Sequence, residues 1–184
     1  MPPRVEASVI DEIVGIWAPY GVDVFMSSNA RDAGSNNDVT LVATLADRQN
    51  RPHAGQVLGS IVFADGVPKP AITMYQHAIN ALVSTVTVVG TTELQWPAAY
   101  RDLIVGRVLG RALAHEIGHF LLRSRQHPEV GLMRAPHQAP DLVALDRRAF
   151  TLSAEEQMRL VTMTSTTFRS STRGVRAVGV PSRE

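Results

Sequence analysis

Residues Tyr100–Leu122 read YRDLIVGRVLGRALAHEIGHFLL. Ile104, Val105, Val108, Leu109, Ala112, Leu113, Ile117 and Phe120 recur at the spacing of a helix with one broad apolar face. Pro97 stands where such a helix begins, near the first-turn position that proline tolerates. Within the helix lies His115-Glu116-Ile117-Gly118-His119, an HExxH motif. Two histidines four apart on a helix share a face, with Cβ atoms roughly 5–6 Å apart. One zinc ion can take a nitrogen from each at about 2.0–2.1 Å. Glu116, between them, can reach a water on that metal as general base. The apolar flanks speak against a pair of incidental surface histidines. A buried His-Glu-His cluster without a metal would leave several polar groups to satisfy. A hydrolytic zinc site on a central helix is the first expectation.

Upstream of this helix the pattern alternates between elements. Val5, Val9, Ile10, Ile13, Val14 and Trp17 predict an amphipathic helix over 5–18, with Gly21 at its stop. Strands are expected at Val22–Met26, Val39–Leu45 and Val57–Ala64, separated by a loop at Asn29–Asp38 and a polar turn. Gly66, Pro68 and Pro70 predict a further loop, then a short strand at Ala71–Tyr75 and a helix or helix-to-strand transition over Ala78–Val88. Downstream, Pro128, Gly131, Pro136 and Pro140 predict irregular chain. Ser153-Ala154-Glu155-Glu156 is a capping box that starts a C-terminal helix running to about Met163. Residues 164–184, rich in Ser, Thr, Gly and Arg, read as a flexible tail. The sum is one α+β domain over 1–163, of the α/β type: a small mixed twisted sheet, an N-terminal helix, a long motif helix and an irregular C-terminal part. There is no internal repeat.

A catalytic zinc needs a third protein ligand and one open position. The candidates are His127, His137, Asp141, Glu155 and Glu156. His127 is the best placed, because it follows the helix closely and Pro128 holds it extended, as suits a residue projecting from a loop. Glu155 or Glu156 would give the gluzincin arrangement, a ligand glutamate on the following helix. Both also suit the start of a helix, Glu156 as the box residue and Glu155 as a first-turn acid. His53 and His77 are assigned no role.

His115-Glu116-x-x-His119, then His127, then Gly131-Leu132-Met133-Arg134-Ala135 resembles the metzincin group of zinc endopeptidases. The resemblance covers about residues 100–135. It implies zinc ligands at His115, His119 and His127, a general base at Glu116, and a tight turn that puts Met133 beneath the metal. His127 comes two residues later than in the group's usual pattern, and Leu122 stands where that pattern has glycine. Ser124–Gln126 would absorb the extra length. The group also places a substrate-binding edge strand before the motif helix, and Leu58–Ala64 occupies a comparable position.

The function expected is a zinc-dependent metallopeptidase, an endopeptidase, acting on a peptide or protein substrate. Glu116 would take the water's proton and pass it to the leaving amine. Tyr75, Tyr100 and His137 are nominees for a further oxyanion donor. Two alternatives stand beside it: the gluzincin-type peptidase, and a non-catalytic module that keeps zinc for stability.

Composition narrows the rest. At 184 residues, 45% apolar and 19% charged, the chain can bury a core of its own. A net charge of +1 provides no field to draw it to nucleic acid or membrane, and neither is expected as a partner. Of 18 basic residues only Lys69 is lysine. Without cysteine, there is no disulfide, thiol ligand or thiol nucleophile. Met1-Pro2-Pro3-Arg4 lacks a signal-peptide pattern, so the chain is expected to be cytoplasmic or to omit a leader. No apolar run reaches the roughly 20 residues of a membrane span.

Overall fold

The computed structural model describes residues 1–27, 39–47, 57–167 and 174–180. The expected loop at 29–38, His53, and residues 168–173 and 181–184 lie outside the described residues.

The first helix, α1 (Pro3–Trp17), buries Val5, Val9, Ile13, Ile16 and Trp17 and lies along the motif helix, α3 (Ala98–Leu122). Two glycines one turn apart on α3 set the approach. A Cβ at position 106 would stand 2.6 Å from the Val5 carbonyl oxygen, and one at 110 would stand 2.9 Å from that of Val9. With no side chain there, the two helix backbones come close. Ile10 and Val14 belong to the expected apolar face but are only partly buried or exposed; α1 turns Glu12 inward instead.

Helix α3 is buried on every side from Ile104 to His119. A helix so enclosed is ordinarily apolar all round. This one carries Arg107, Arg111, His115 and His119 at four-residue intervals, a polar stripe through the core.

The strands are β1 (Asp23–Ser27), β2 (Val39–Ala46), β3 (Gly59–Ala64), β4 (Val67–Tyr75) and, after two short strands β5 (Thr87–Val88) and β6 (Thr91–Thr92), β7 (Gly174–Val180). The main sheet runs β1-β7-β2-β4-β3. All neighbours are parallel except β3, which lies antiparallel to β4 at one edge. The fold is α+β with a small mixed sheet, as expected. Helix α2 (Gln76–Thr85) leads into β5, the transition expected over 78–88. A short helix α4 (Ala139–Val143) interrupts otherwise irregular chain between α3 and α5 (Ala154–Thr167).

Two expectations fail in part. Pro68 and Pro70 do not break the chain into a loop: β4 runs through both. Asp65 (φ 52°) and Gly66 (φ 77°) form a two-residue hairpin turn that joins β3 directly to β4. Pairing of β4 with β2 begins only at Ala71. The prolines therefore lie where β4 has a neighbour on one side only, and their missing N–H groups break no central ladder. The second is the tail. Helix α5 continues to Thr167, and residues 174–180 form β7, between β1 and β2. The run Gly174-Val-Arg-Ala-Val-Gly-Val180 is short, and its Ser-, Thr- and Arg-rich surroundings hide its strand character in a compositional reading. No helix among the described residues is long and apolar enough to cross a membrane.

Candidate metal centre

The end of α3 makes the site possible. Arg123 adopts φ 47°, ψ 44°, the left-handed conformation that stops a helix. The Arg123 N–H donates to the Phe120 carbonyl and the Ser124 N–H to that of His119, both at 3.3 Å. This is a Schellman turn with arginine where glycine is usual. The chain then reverses over Ser124–Gln126 and returns His127 with its Nε2 3.1 Å from His119 Nε2. The turn falls one residue later than the glycine position of the pattern, which accommodates the longer spacing to His127.

Backbone carbonyls determine the tautomers of the two helical histidines. His115 Nδ1 lies 2.8 Å from the Leu132 carbonyl oxygen and His119 Nδ1 lies 2.6 Å from that of Ser124. A carbonyl only accepts, so each Nδ1 carries the proton. Each Nε2 is left with a lone pair, the form in which imidazole binds a metal. One ligand atom from each of His115, His119 and His127 lies within 4.8 Å of the others, so the three can hold a metal ion. Burial disfavours the imidazolium of all three. It pushes His115 down to about 3, with repulsion from His119 adding to the effect, and it also lowers His119 and His127. A neutral imidazole keeps a lone pair on one ring nitrogen, which a metal can take without displacing a second proton.

The turn after His127 supports the group from below. Gly131 has φ 86°, and the Leu132 N–H donates to the Thr151 carbonyl at 2.8 Å. A Cβ at 131 would come 2.6 Å from that same Thr151 oxygen. Met133, 1% exposed, lies against α3 at Gly118, where an added Cβ would overlap its Sδ. The fourth residue of the HExxH segment is glycine because the methionine fills the place of a side chain there.

Glu116 is buried, and its Cγ stands 3.2 Å from where a Cβ of Gly59 would be. Burial raises its pKa to about 7, against a hydrogen bond from the Ile61 N–H that favours the carboxylate. It faces a cleft of about 690 Å³ bounded by the edge strand β3 on one side and by the 134–137 segment on the other. Among the described residues β3 has no strand on its outer side.

The other nominees separate cleanly. Glu156 accepts from the Ser153 N–H at 2.7 Å, and Ser153 Oγ accepts from the Glu156 N–H at 3.2 Å, which completes the capping box. Neither Glu155 nor Glu156 belongs to the metal-competent group. Asp141 pairs with Arg134 at 3.5 Å. Tyr75 shares a hydrogen bond with Ser60 at 2.8 Å, and Tyr100 packs edge-on against Trp96; neither lines the cleft. His137 does line it. Its Nε2–H donates to the Leu132 carbonyl, 3.0 Å away, so the two histidines 115 and 137 share one acceptor. His77 is exposed on α2.

Sequence reasoning missed the buried cluster that braces this site. Glu12, 3% exposed, accepts from Arg107 Nε at 3.3 Å, Arg111 Nε at 2.9 Å and Arg147 Nε at 3.0 Å. Arg111 is fully buried, stacks over Phe150 and donates to the Asp141 and Asp146 carbonyls. Arg107 donates to the Val143 carbonyl at 2.9 Å. The segment after His137 is thereby tied to the turns of α3 that precede His115. The available signal was a charge of each sign on the apolar faces of two helices.

No protein-family profile, curated protein or solved structure matches this chain.

Proposed function

We propose that this chain is a zinc-dependent metallopeptidase of the metzincin type that cuts within peptide chains. The observation carrying the reading is the coincidence of three histidines whose ring nitrogens converge and a buried carboxyl, Glu116, at the wall of an open cleft. A structural zinc site closes with four protein ligands, whereas a catalytic one keeps a position free. Among the described residues the group has three ligands and no fourth. Three imidazoles without thiolate suit zinc and leave its charge undiminished.

When bound, zinc supplies Lewis acidity and lowers the pKa of a coordinated water to near 7. The chain's own residues do the rest. An extended substrate segment adds to the free edge of β3 by main-chain hydrogen bonds. Glu116 takes the proton from the attacking water and returns it to the leaving amine. A cation in the triad lowers the carboxyl's pKa from its metal-free value, which readies it as a base. The Leu132 and Ser124 carbonyls hold the two helical rings in place throughout.

The test is metal content and cleavage together. Protein purified without added metal should carry or take up one zinc per chain, and should cut peptides from a mixed library. Glu116→Ala should retain the zinc and lose roughly 10²- to 10⁴-fold in rate. Absence of zinc after titration, or full activity in the Glu116→Ala protein, would sink the reading.

A further inference from the structure

The cleft's lining includes apolar Leu82, Ala112 and Leu142, and Glu116 stands beside Gly59. Toward Phe63 the lining carries Arg125, an exposed residue whose guanidinium lies 4.6 Å over the Phe63 ring. Phe63 in turn meets His119 edge-on, with ring centroids 6.4 Å apart. Arg125 therefore stands beside the metal-competent group. Among the described residues no carboxylate lies within ion-pair distance of it, whereas the cleft's other arginine, Arg134, is paired with Asp141. Among the described residues the only carboxyl in the lining is Glu116.

Strand direction says which part of a substrate meets this cation. β3 runs from Gly59, beside Glu116, to Phe63, beside Arg125. A peptide adding to its free edge in the antiparallel sense begins at the Phe63 end. We propose that Arg125 and Phe63 form a subsite for an acidic side chain, aspartate or glutamate, on the N-terminal side of the cleaved bond. The guanidinium offers a planar fork of N–H donors to the carboxylate while its face stays on the Phe63 ring. This rests on the peptidase reading above and names the substrate class that the reading leaves open.

The experiment uses zinc-loaded full-length chain and a peptide library randomised on the N-terminal side of the cut, with acidic, neutral and basic members. Wild type should favour acidic members by roughly threefold to tenfold, less at high salt. Arg125→Ala should bring the ratio of acidic to neutral cleavage down to about one, and Arg125→Glu should favour basic members. A wild type without acidic preference, or one whose preference survives Arg125→Ala, would overturn the proposal while leaving the peptidase reading intact. A parallel arm measures binding of the same peptides to zinc-loaded Glu116→Ala and Glu116→Ala/Arg125→Ala proteins. If wild type cuts nothing, the peptidase reading falls by itself. The binding arm then decides whether acidic peptides depend on Arg125 or not.

Discussion

Helix α3 carries two pairs of buried polar residues on one stripe, and they are completed differently. Arg107 and Arg111, on the earlier turns, find everything they need within the chain: the Glu12 carboxylate and the carbonyls of residues 141, 143 and 146. His115 and His119, on the later turns, are satisfied on one nitrogen only. Their Nδ1–H groups donate to carbonyls, and one ring nitrogen of each lies within 4.8 Å of one from His127. Folding alone completes the first pair, whereas the second, together with His127, could hold a metal ion. A buried polar cluster that closes on itself is architecture; one that leaves converging lone pairs at the wall of a cleft is a site.

The widest separation between the two halves should come from removing one member of each. Glu12→Ala leaves the buried Arg107 and Arg111 without their anion, while Arg147 keeps its pairing with Asp11. It should destabilise the fold by about 3–5 kcal/mol, seen as a drop in thermal midpoint of roughly 6–20 °C. His115→Ala should abolish tight zinc binding while moving the metal-free midpoint far less. If the two variants melt alike without metal, the division between closed and open halves is wrong.

Gly118→Ala probes the open half alone. Its Cβ would overlap Met133 Sδ, so the methionine must move. A loss of roughly 1–3 kcal/mol is expected, along with weaker zinc binding, because Met133 neighbours Leu132, whose carbonyl holds His115. Unaltered zinc affinity would show that Met133 only fills space.

The pH dependence of metal-free stability should sharpen the picture further. His115 has its folded value near 3, below its ordinary 6.5. Over that interval the unfolded chain binds the extra proton, so stability should fall as pH drops from about 6.5 toward 3. His119, His127 and His137, lowered by burial, act in the same sense. Glu116 opposes them. Its folded value near 7 lies above the ordinary 4.5, so the native state holds the extra proton and stability falls as pH rises between the two. Denaturant titrations of Glu116→Gln should therefore show a steeper rise in stability from pH 4.5 to 6.5 than wild type. Parallel curves would mean that Glu116 is not buried as described.

The smallest effect concerns the seam where the helix hands over to His127. Arg123 bears the left-handed conformation with a side chain, and Arg123→Gly should relieve it. A gain of roughly 0.5–1 kcal/mol is expected after allowing for glycine's greater freedom in the unfolded chain. A loss of stability instead would show that the arginine side chain has a packing role there.

Much of this site is legible in the chain because it is local. His115 and His119 share a face through the helical repeat alone, and the apolar residues around them predict a buried helix. His127 is near in sequence and stands before a proline. The edge strand follows from a short β-rich run bounded by Asp65-Gly66. What stays hidden depends on distant partners. Glu12 reaches Arg111 across 99 residues and Arg147 across 135, and on a helical wheel it is one charge among apolar neighbours. Pro68 and Pro70 read as breakers because their tolerance depends on β2 pairing only from Ala71 onward. β7 reads as tail because its strand partners lie at the other end of the chain.

The sequence by itself thus determined the motif helix and the types and order of the histidines that could hold a metal, since these follow from backbone periodicity and side-chain chemistry. Only the tertiary structure decided that His115 and His119 turn Nδ1 to backbone carbonyls, that Glu116 is buried beside the free edge of β3, and that Arg125 stands over Phe63 in the cleft. Those properties depend on which carbonyls, glycines and guanidinium groups are brought close by packing. Sequence spacing does not encode such distances between remote residues.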